Sequence, residues 1–220
     1  MTFEEMQEAV YIELRDFMKE FIEDHFVEGW LNEAQRDIAQ RTKLLTKEIT
    51  NLTAGAPQFS NGSLTFPADF IDVVNLRVNT TDDVNFEVDD QDFWVAKDNS
   101  WILSPPWGRL FGGGMEVYPA PLDNAAYTLR YSYTPANLSA PTDVSPFPVE
   151  LQDKMVLFAK SRALYKERED SLAATYRQEY ELGLPERTLG FGRKVAPQNR
   201  VRFEPNSFDL DPESKHISLH

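Results

Sequence analysis

Two incompatible apolar spacings divide this sequence, and that division limits the folds open to it: stripes at three- and four-residue steps alternate with a run that repeats at every second residue. Phe3, Met6, Val10, Leu14, Phe17 and Phe21 draw one helical stripe, and Val27, Trp30, Leu31, Ala34, Ile38 and Leu45 draw a second. Thr2 followed by Glu5 makes a capping box that satisfies free amides at a helix start. Residues 2–47 therefore read as two helices with a break around residues 23–28. Glu33, Gln35, Arg36, Asp37 and Gln40 lie largely off the second stripe.

Between Ile49 and Tyr133 the pattern shortens into β-type runs punctuated by Gly, Pro, Asn and Asp. Ile71–Val78, Trp101–Leu103 and Met115–Tyr118 are candidate strands. Tyr127–Tyr133 is the clearest, with Tyr127, Leu129, Tyr131 and Tyr133 on one face and Thr128, Arg130 and Ser132 on the other. Pro105, Pro106 and Trp107 at one end, and Gly112, Gly113 and Gly114 at the other, bracket a loop. Helical spacing returns after Pro148, which suits a first turn because its missing amide is not needed there. Leu151, Met155, Phe158, Arg162 and Tyr165 share a stripe. A last helix opens at Asp170 or Ser171, and Gly183 with Pro185 stops it.

These readings give an α+β chain. Residues 1–50 and 148–184 form a helical bundle, with an N-terminal and a C-terminal helix pair. Residues 51–147 form an inserted small antiparallel β module, and residues 185–220 an extended C-terminal arm. The arm has no apolar period, so it cannot bury enough surface to fold alone and is disordered or ordered by a partner.

Charge is distributed unevenly. The chain carries −14 overall, and residues 1–147 alone hold ten basic against twenty-four acidic side chains. Such a body repels polyanions and disfavours sequence-specific nucleic-acid binding. The acidic start, Met1 to Glu5, is unlike a secretory signal and points to a protein that works where it is made. No apolar run is long enough to span a membrane.

Catalytic chemistry finds little purchase. There is no cysteine and only His25, His216 and His220, which argues against thiol nucleophiles, zinc sites and histidine-based triads. The acids at Asp82, Asp83, Asp89, Asp90 and Asp92 lack the spacing of a calcium loop and read as solvated loop residues. Gly190-Phe191-Gly192-Arg193-Lys194 lacks the third glycine of a dinucleotide fingerprint and reads as a flexible basic stretch. No catalytic, cofactor-binding or metal-binding residue is expected. The Tyr127, Tyr131 and Tyr133 face reads as sheet core before stacking platform. Trp107, Arg109 and Phe111 mark an aromatic loop equally suited to partner contact or to folding back on the sheet.

Several segments, in order, resemble one family. Trp30–Lys43 (WLNEAQRDIAQRTK) is similar to the helix "aromatic-(I/L)-N-E-A-Q-R-x-(I/L)-A-x-R-T" of head-to-tail adaptor proteins of short-tailed bacteriophages. Leu64–Ile71 (LTFPADFI) resembles the family's "L-P-x-D-F" lead-in to the β module. Glu116–Pro121 (EVYPAP) and Tyr127–Pro135 (YTLRYSYTP) resemble two of its strands. Leu151–Leu184 resembles its last helix pair, ending in Tyr176–Leu184 (YRQEYELGL). The likeness covers residues 3–184, and beyond residue 185 no motif aligns.

That resemblance implies a structural virion protein of the neck, assembled in the host cytoplasm. It implies a dodecameric ring of identical subunits joining the portal protein to the tail nozzle protein, with genomic DNA passing through the centre without specific binding. It further implies that the C-terminal arm lies along the portal; by residue type, Phe191, Arg193, Lys194, Arg200, Arg202, Phe203 and Phe208 are its expected anchors, the aromatics as buried contacts. The loop of Trp107, Arg109 and Phe111 would then face a tail component. Rival readings are a tail nozzle or stopper subunit, a carbohydrate-binding module of a host-attachment apparatus and, last, a carboxylate hydrolase.

Overall fold

Helix α1 (Phe3–Glu13) starts as its sequence dictates. The Thr2 hydroxyl accepts from the Glu5 amide at 3.2 Å, while the Glu5 carboxylate accepts from the Thr2 amide at 2.8 Å. In the computed structural model, residues 1–14, 22–79, 82–86 and 90–184 are described. Phe17 and Phe21 of the first stripe, and the whole arm beyond residue 184, lie outside them.

The elements that follow are α2 (Asp24–Thr42), β1 (Thr46–Thr50), β2 (Ser63–Thr65), β3 (Phe70–Val78), β4 (Asp82–Asp83), α3 (Asp90–Asp98), β5 (Trp107–Phe111), β6 (Gly114–Tyr118), β7 (Tyr127–Tyr133), α4 (Val149–Lys166) and α5 (Asp170–Leu182). The fold is mixed α+β, with five helices and two small antiparallel sheets among the described residues. One sheet runs β1-β7-β3-β4 and the other β2-β6-β5.

Two buried clusters organise these elements. The first joins Phe3, Met6 and Val10 of α1 to Val27, Leu31 and Ile38 of α2, Met155 and Phe158 of α4, and Tyr180 of α5. The second joins Leu64, Val73, Leu76, Met115, Val117, Tyr127, Leu129 and Tyr131 across both sheets. Each such side chain contributes about 1.5–3 kcal/mol by leaving water. Of the three tyrosines read as core, Tyr127 is 2% and Tyr131 1% exposed, while Tyr133 is only partly buried against the same cluster. Tyr131 donates to Asp69 at 2.9 Å, and burial with that carboxylate raises its pKa above the ordinary tyrosine value.

The clusters meet at the α2–β1 corner. Lys43 ends α2 in the left-handed region (φ 49°), and its ammonium pairs with Asp72 of β3 at 2.6 Å. Ser132 of β7 donates to the Lys43 carbonyl at 3.2 Å. The strand segment is thereby fastened to the end of a helix.

Several element readings need adjustment. The break expected around 23–28 meets only the near edge of that range: Ile22 and Glu23 lie outside helix and α2 runs from Asp24. Helix does not reach residue 47: Thr46–Thr50 is β1, paired with β7 along its length. Trp101–Leu103 is no strand, and residues 107–111, read as loop, are strand β5. Asp90 and Asp92, read as loop acids, occupy the first turn of α3, where negative charge complements the helix dipole.

Candidate partner-binding surface

The three residues expected in an aromatic loop instead alternate along a strand. β5 pairs with β6 in the register Trp107↔Tyr118, Arg109↔Glu116 and Phe111↔Gly114, so all three share one sheet face. The opposite face carries Gly108 and Leu110, beside Val117 and Met115. Helix α3 packs over the Trp107–Arg109–Phe111 face: Phe93 meets Tyr118 edge-on at 6.4 Å, and Trp94 lies over Arg109.

Arg109 is the hinge of this face. Its Nε donates to Glu116 at 3.0 Å, and its guanidinium sits 4.3 Å from the Trp94 ring, 5.4 Å from Phe93 and 5.9 Å from Phe111. Lys97 of α3 donates to the other Glu116 oxygen and stands 5.0 Å from the Trp94 ring. Burial alone would raise the Glu116 pKa, but the hydrogen bonds from Lys97 and Arg109 win and hold its carboxyl below the ordinary glutamate value. One carboxylate thus locks two cations, and the cations hold the aromatic rings.

What remains open to contact is apolar. Trp107 is half-buried, while Phe111 (42%), Trp94 (41%) and Trp101 (48%) are exposed. Of these, Trp94 and Trp101 are not singled out by sequence as contact residues, and Trp101 falls in an expected strand. Trp94 was legible only once α3 was recognised, since Phe93 and Ala96 turn inward and leave it outside.

A second surface lies among α2, α4 and α5. Glu33, Arg36, Asp37, Gln40, Phe158, Arg162 and Arg177 line a groove of about 410 Å³. Its charges are largely closed on one another: Arg162 pairs with Glu33, Arg177 with Glu181 at 2.6 Å, and Arg41 with both Asp37 and Glu181. Phe158 lies beneath Arg162 and Arg177, at 5.2 and 5.0 Å.

Among the described residues, no group of three or more His, Asp or Glu side chains is placed to hold a metal. No helix among them is long and apolar enough to cross a membrane. Asp83 binds Arg77 at 2.7 Å and Asn75 at 3.1 Å. The side chains of Asp82 and Asp89 and all seven arm residues, Phe191, Arg193, Lys194, Arg200, Arg202, Phe203 and Phe208, lie outside the described residues.

Exposed rings on a braced sheet and self-neutralised ion pairs describe a protein that works through its faces. Residues 1–202 match the family described as SU10 adaptor protein, and the chain belongs to that family. It is a bacteriophage adaptor protein, a structural component of the virion whose role is to contact other phage head or tail proteins. The match passes residue 184 and runs through residues 186–202, in which no motif aligned. No curated protein matches the chain.

Proposed function

We propose that the chain is the head-to-tail adaptor: a subunit of a dodecameric ring that joins the portal to the tail nozzle and lets DNA pass through its centre. The observation that carries this reading is the family match across residues 1–202. The helices within residues 1–50 and 148–184 act as the bundle presented to the portal and nozzle proteins, the strand-rich residues between them as an inserted β module that also takes in β1, and residues 185–220 as the arm along the portal. The arm anchors through Phe191, Phe203 and Phe208, with Arg193, Lys194, Arg200 and Arg202 supplying charge.

The charge distribution supports passage of DNA. A wall that bound phosphates would have to release them at every step, whereas an acidic wall does not hold them. The body's excess of acids over bases suits such a lining. The Trp107–Arg109–Phe111 face, braced by α3, is the part assigned to a tail component.

Imaging of the full-length protein mixed with portal tests the reading: a ring seated beneath the portal is expected. Deleting residues 186–220 should abolish attachment while circular dichroism shows an unchanged body. Portal binding of undiminished affinity by the shortened chain would refute the arm's role.

A further inference from the structure

Large apolar side chains crowd the solvent side of one short stretch: Trp94 and Val95 on α3, Trp101 and Ile102 just past it, and Phe111 at the end of β5. Exposed apolar residues scattered singly need no explanation, but these fall within residues 94–111, and Ile102 is 97% exposed. Trp94 and Phe111 flank the same guanidinium, which Glu116 fixes. Rings held this way lose little freedom on binding, which is what an anchor site requires. The two cations against them, Arg109 and Lys97, are both engaged by Glu116. Beyond them α3 exposes Asp90, Asp92 and Asp98. The surface is aromatic and acid-rimmed, and its complement is a segment that carries aromatic rings and positive charge.

This chain contains one such segment. Residues 187–203 hold Arg187, Phe191, Arg193, Lys194, Arg200, Arg202 and Phe203 with no acidic residue, in a protein of net charge −14. The family match continues through this stretch to residue 202. Reach is no obstacle: from Leu184 to Phe203 an extended chain spans roughly 60 Å, more than the roughly 40 Å across a folded body of this size. We infer that the platform of Trp94 and Phe111, with Trp101 exposed just past the end of α3, is a docking site for residues 187–203 of this chain. Aromatic side chains of the segment seat on the rings, and its arginines face the α3 aspartates. The inference goes beyond the portal reading and does not depend on it. A segment held here in the free protein would have to be displaced before it could bind elsewhere.

The test uses the full-length protein with p-benzoylphenylalanine in place of Phe191 or, separately, Phe203. Irradiation followed by peptide mapping should place crosslinks within residues 90–111. Trp94→Ala with Phe111→Ala should cut that yield roughly tenfold or more, as loss of aromatic anchors does, with the melting temperature reporting that the body is folded. Asp90→Asn, Asp92→Asn and Asp98→Asn, which touch only exposed side chains, should lower it several-fold and flatten its salt dependence. Mixed light and heavy protein separates docking within one chain from docking between copies, and either supports the site. Crosslinks that map outside residues 90–111, or a yield unmoved by both sets of substitutions, would overturn it.

Discussion

Asn32 and Leu138, 106 positions apart, exchange two hydrogen bonds: the Asn32 amide donates to the Leu138 carbonyl at 3.0 Å, and the Leu138 amide donates to Asn32 Oδ1 at 2.7 Å. One turn on, Gln35 donates to the Ala136 carbonyl at 2.8 Å. Both side chains are buried on α2, and together they bind the backbone of the segment that returns from β7 to α4. Asn32→Ala would leave a buried N–H and a buried carbonyl without partners. Each orphaned group costs about 1–3 kcal/mol, so a loss of about 2–4 kcal/mol is expected in urea unfolding. Asn32→Asp keeps the acceptor and loses the donor, placing a carboxylate against the carbonyl. That variant should regain stability as acid protonates it; a flat pH response would show that the pair of bonds does not hold the return segment.

Glu116 gives a second, pH-dependent expectation. Its folded pKa lies below its ordinary value of about 4.5, so its contribution is fully present above the unfolded pKa and disappears as pH falls through the lower folded one. Glu116→Gln should therefore destabilise the protein at neutral pH, by about 1–3 kcal/mol for a charged hydrogen-bond acceptor serving two cations. The difference from wild type should close in strong acid. Denaturant midpoints for the two proteins from pH 7 down to 2 would show this. A gap that stayed constant would mean that Lys97 and Arg109 draw nothing from the carboxylate's charge.

Tyr180 ties α5 to α2 by donating to Asp37, and burial followed by that carboxylate raises its pKa. Its ring also packs edge-on to Phe158 at 5.2 Å. Tyr180→Phe keeps the ring and removes only the donor, and Asp37 retains Arg41 at 3.1 Å. The expected cost is about 1–2 kcal/mol, far below the roughly 3–5 kcal/mol of Tyr180→Ala, which empties the core position. Equal losses in thermal unfolding would contradict this division.

How much of this could be read in the chain depended on whether local signals agreed. α1, α4, α5 and β7 were legible because caps, stops and apolar period coincide at Thr2, Pro148, Asp170, Gly183 and Tyr127–Tyr133. β5 was hidden by Gly108, which leaves its inward position without a side chain; a Cβ there would meet Phe86 at 2.5 Å and Val84 at 2.7 Å, so neighbours fill the space. Trp101–Leu103 has strand-like composition but precedes Ser104-Pro105-Pro106, and nothing buries Ile102. α2 overran because it ends on Lys43 in a conformation that glycine usually marks. Of the surface residues, Trp107, Arg109 and Phe111 were identifiable by type. Their common face with Trp94 was not, because it requires a helix of nine residues that shows only one apolar turn.

The glycines at 112–114 separate three reasons for having no side chain, and substitution should rank them. A Cβ on Gly112 meets nothing within 4 Å and its φ is not positive, so Gly112→Ala should change stability by less than about 0.5 kcal/mol. Gly113 turns the β5–β6 hairpin at φ +96°, which side-chain-bearing residues adopt at a cost of about 1–2 kcal/mol. Gly114 has the least room: a Cβ would lie 2.7 Å from the Leu64 carbonyl oxygen, which is backbone of the neighbouring strand and cannot swing away. Gly114→Ala should force β2 off β6, costing about 2–3 kcal/mol as overpacking does, and should loosen the sheet that carries Arg109 and Phe111. Hydrogen exchange at the Phe66 and Val117 amides, which donate to the Gly113 and Gly62 carbonyls across the two strands, would register the separation, with protection lost in Gly114→Ala and kept in Gly112→Ala. The reverse order would mean that the turn, not the close approach of strands, requires these glycines.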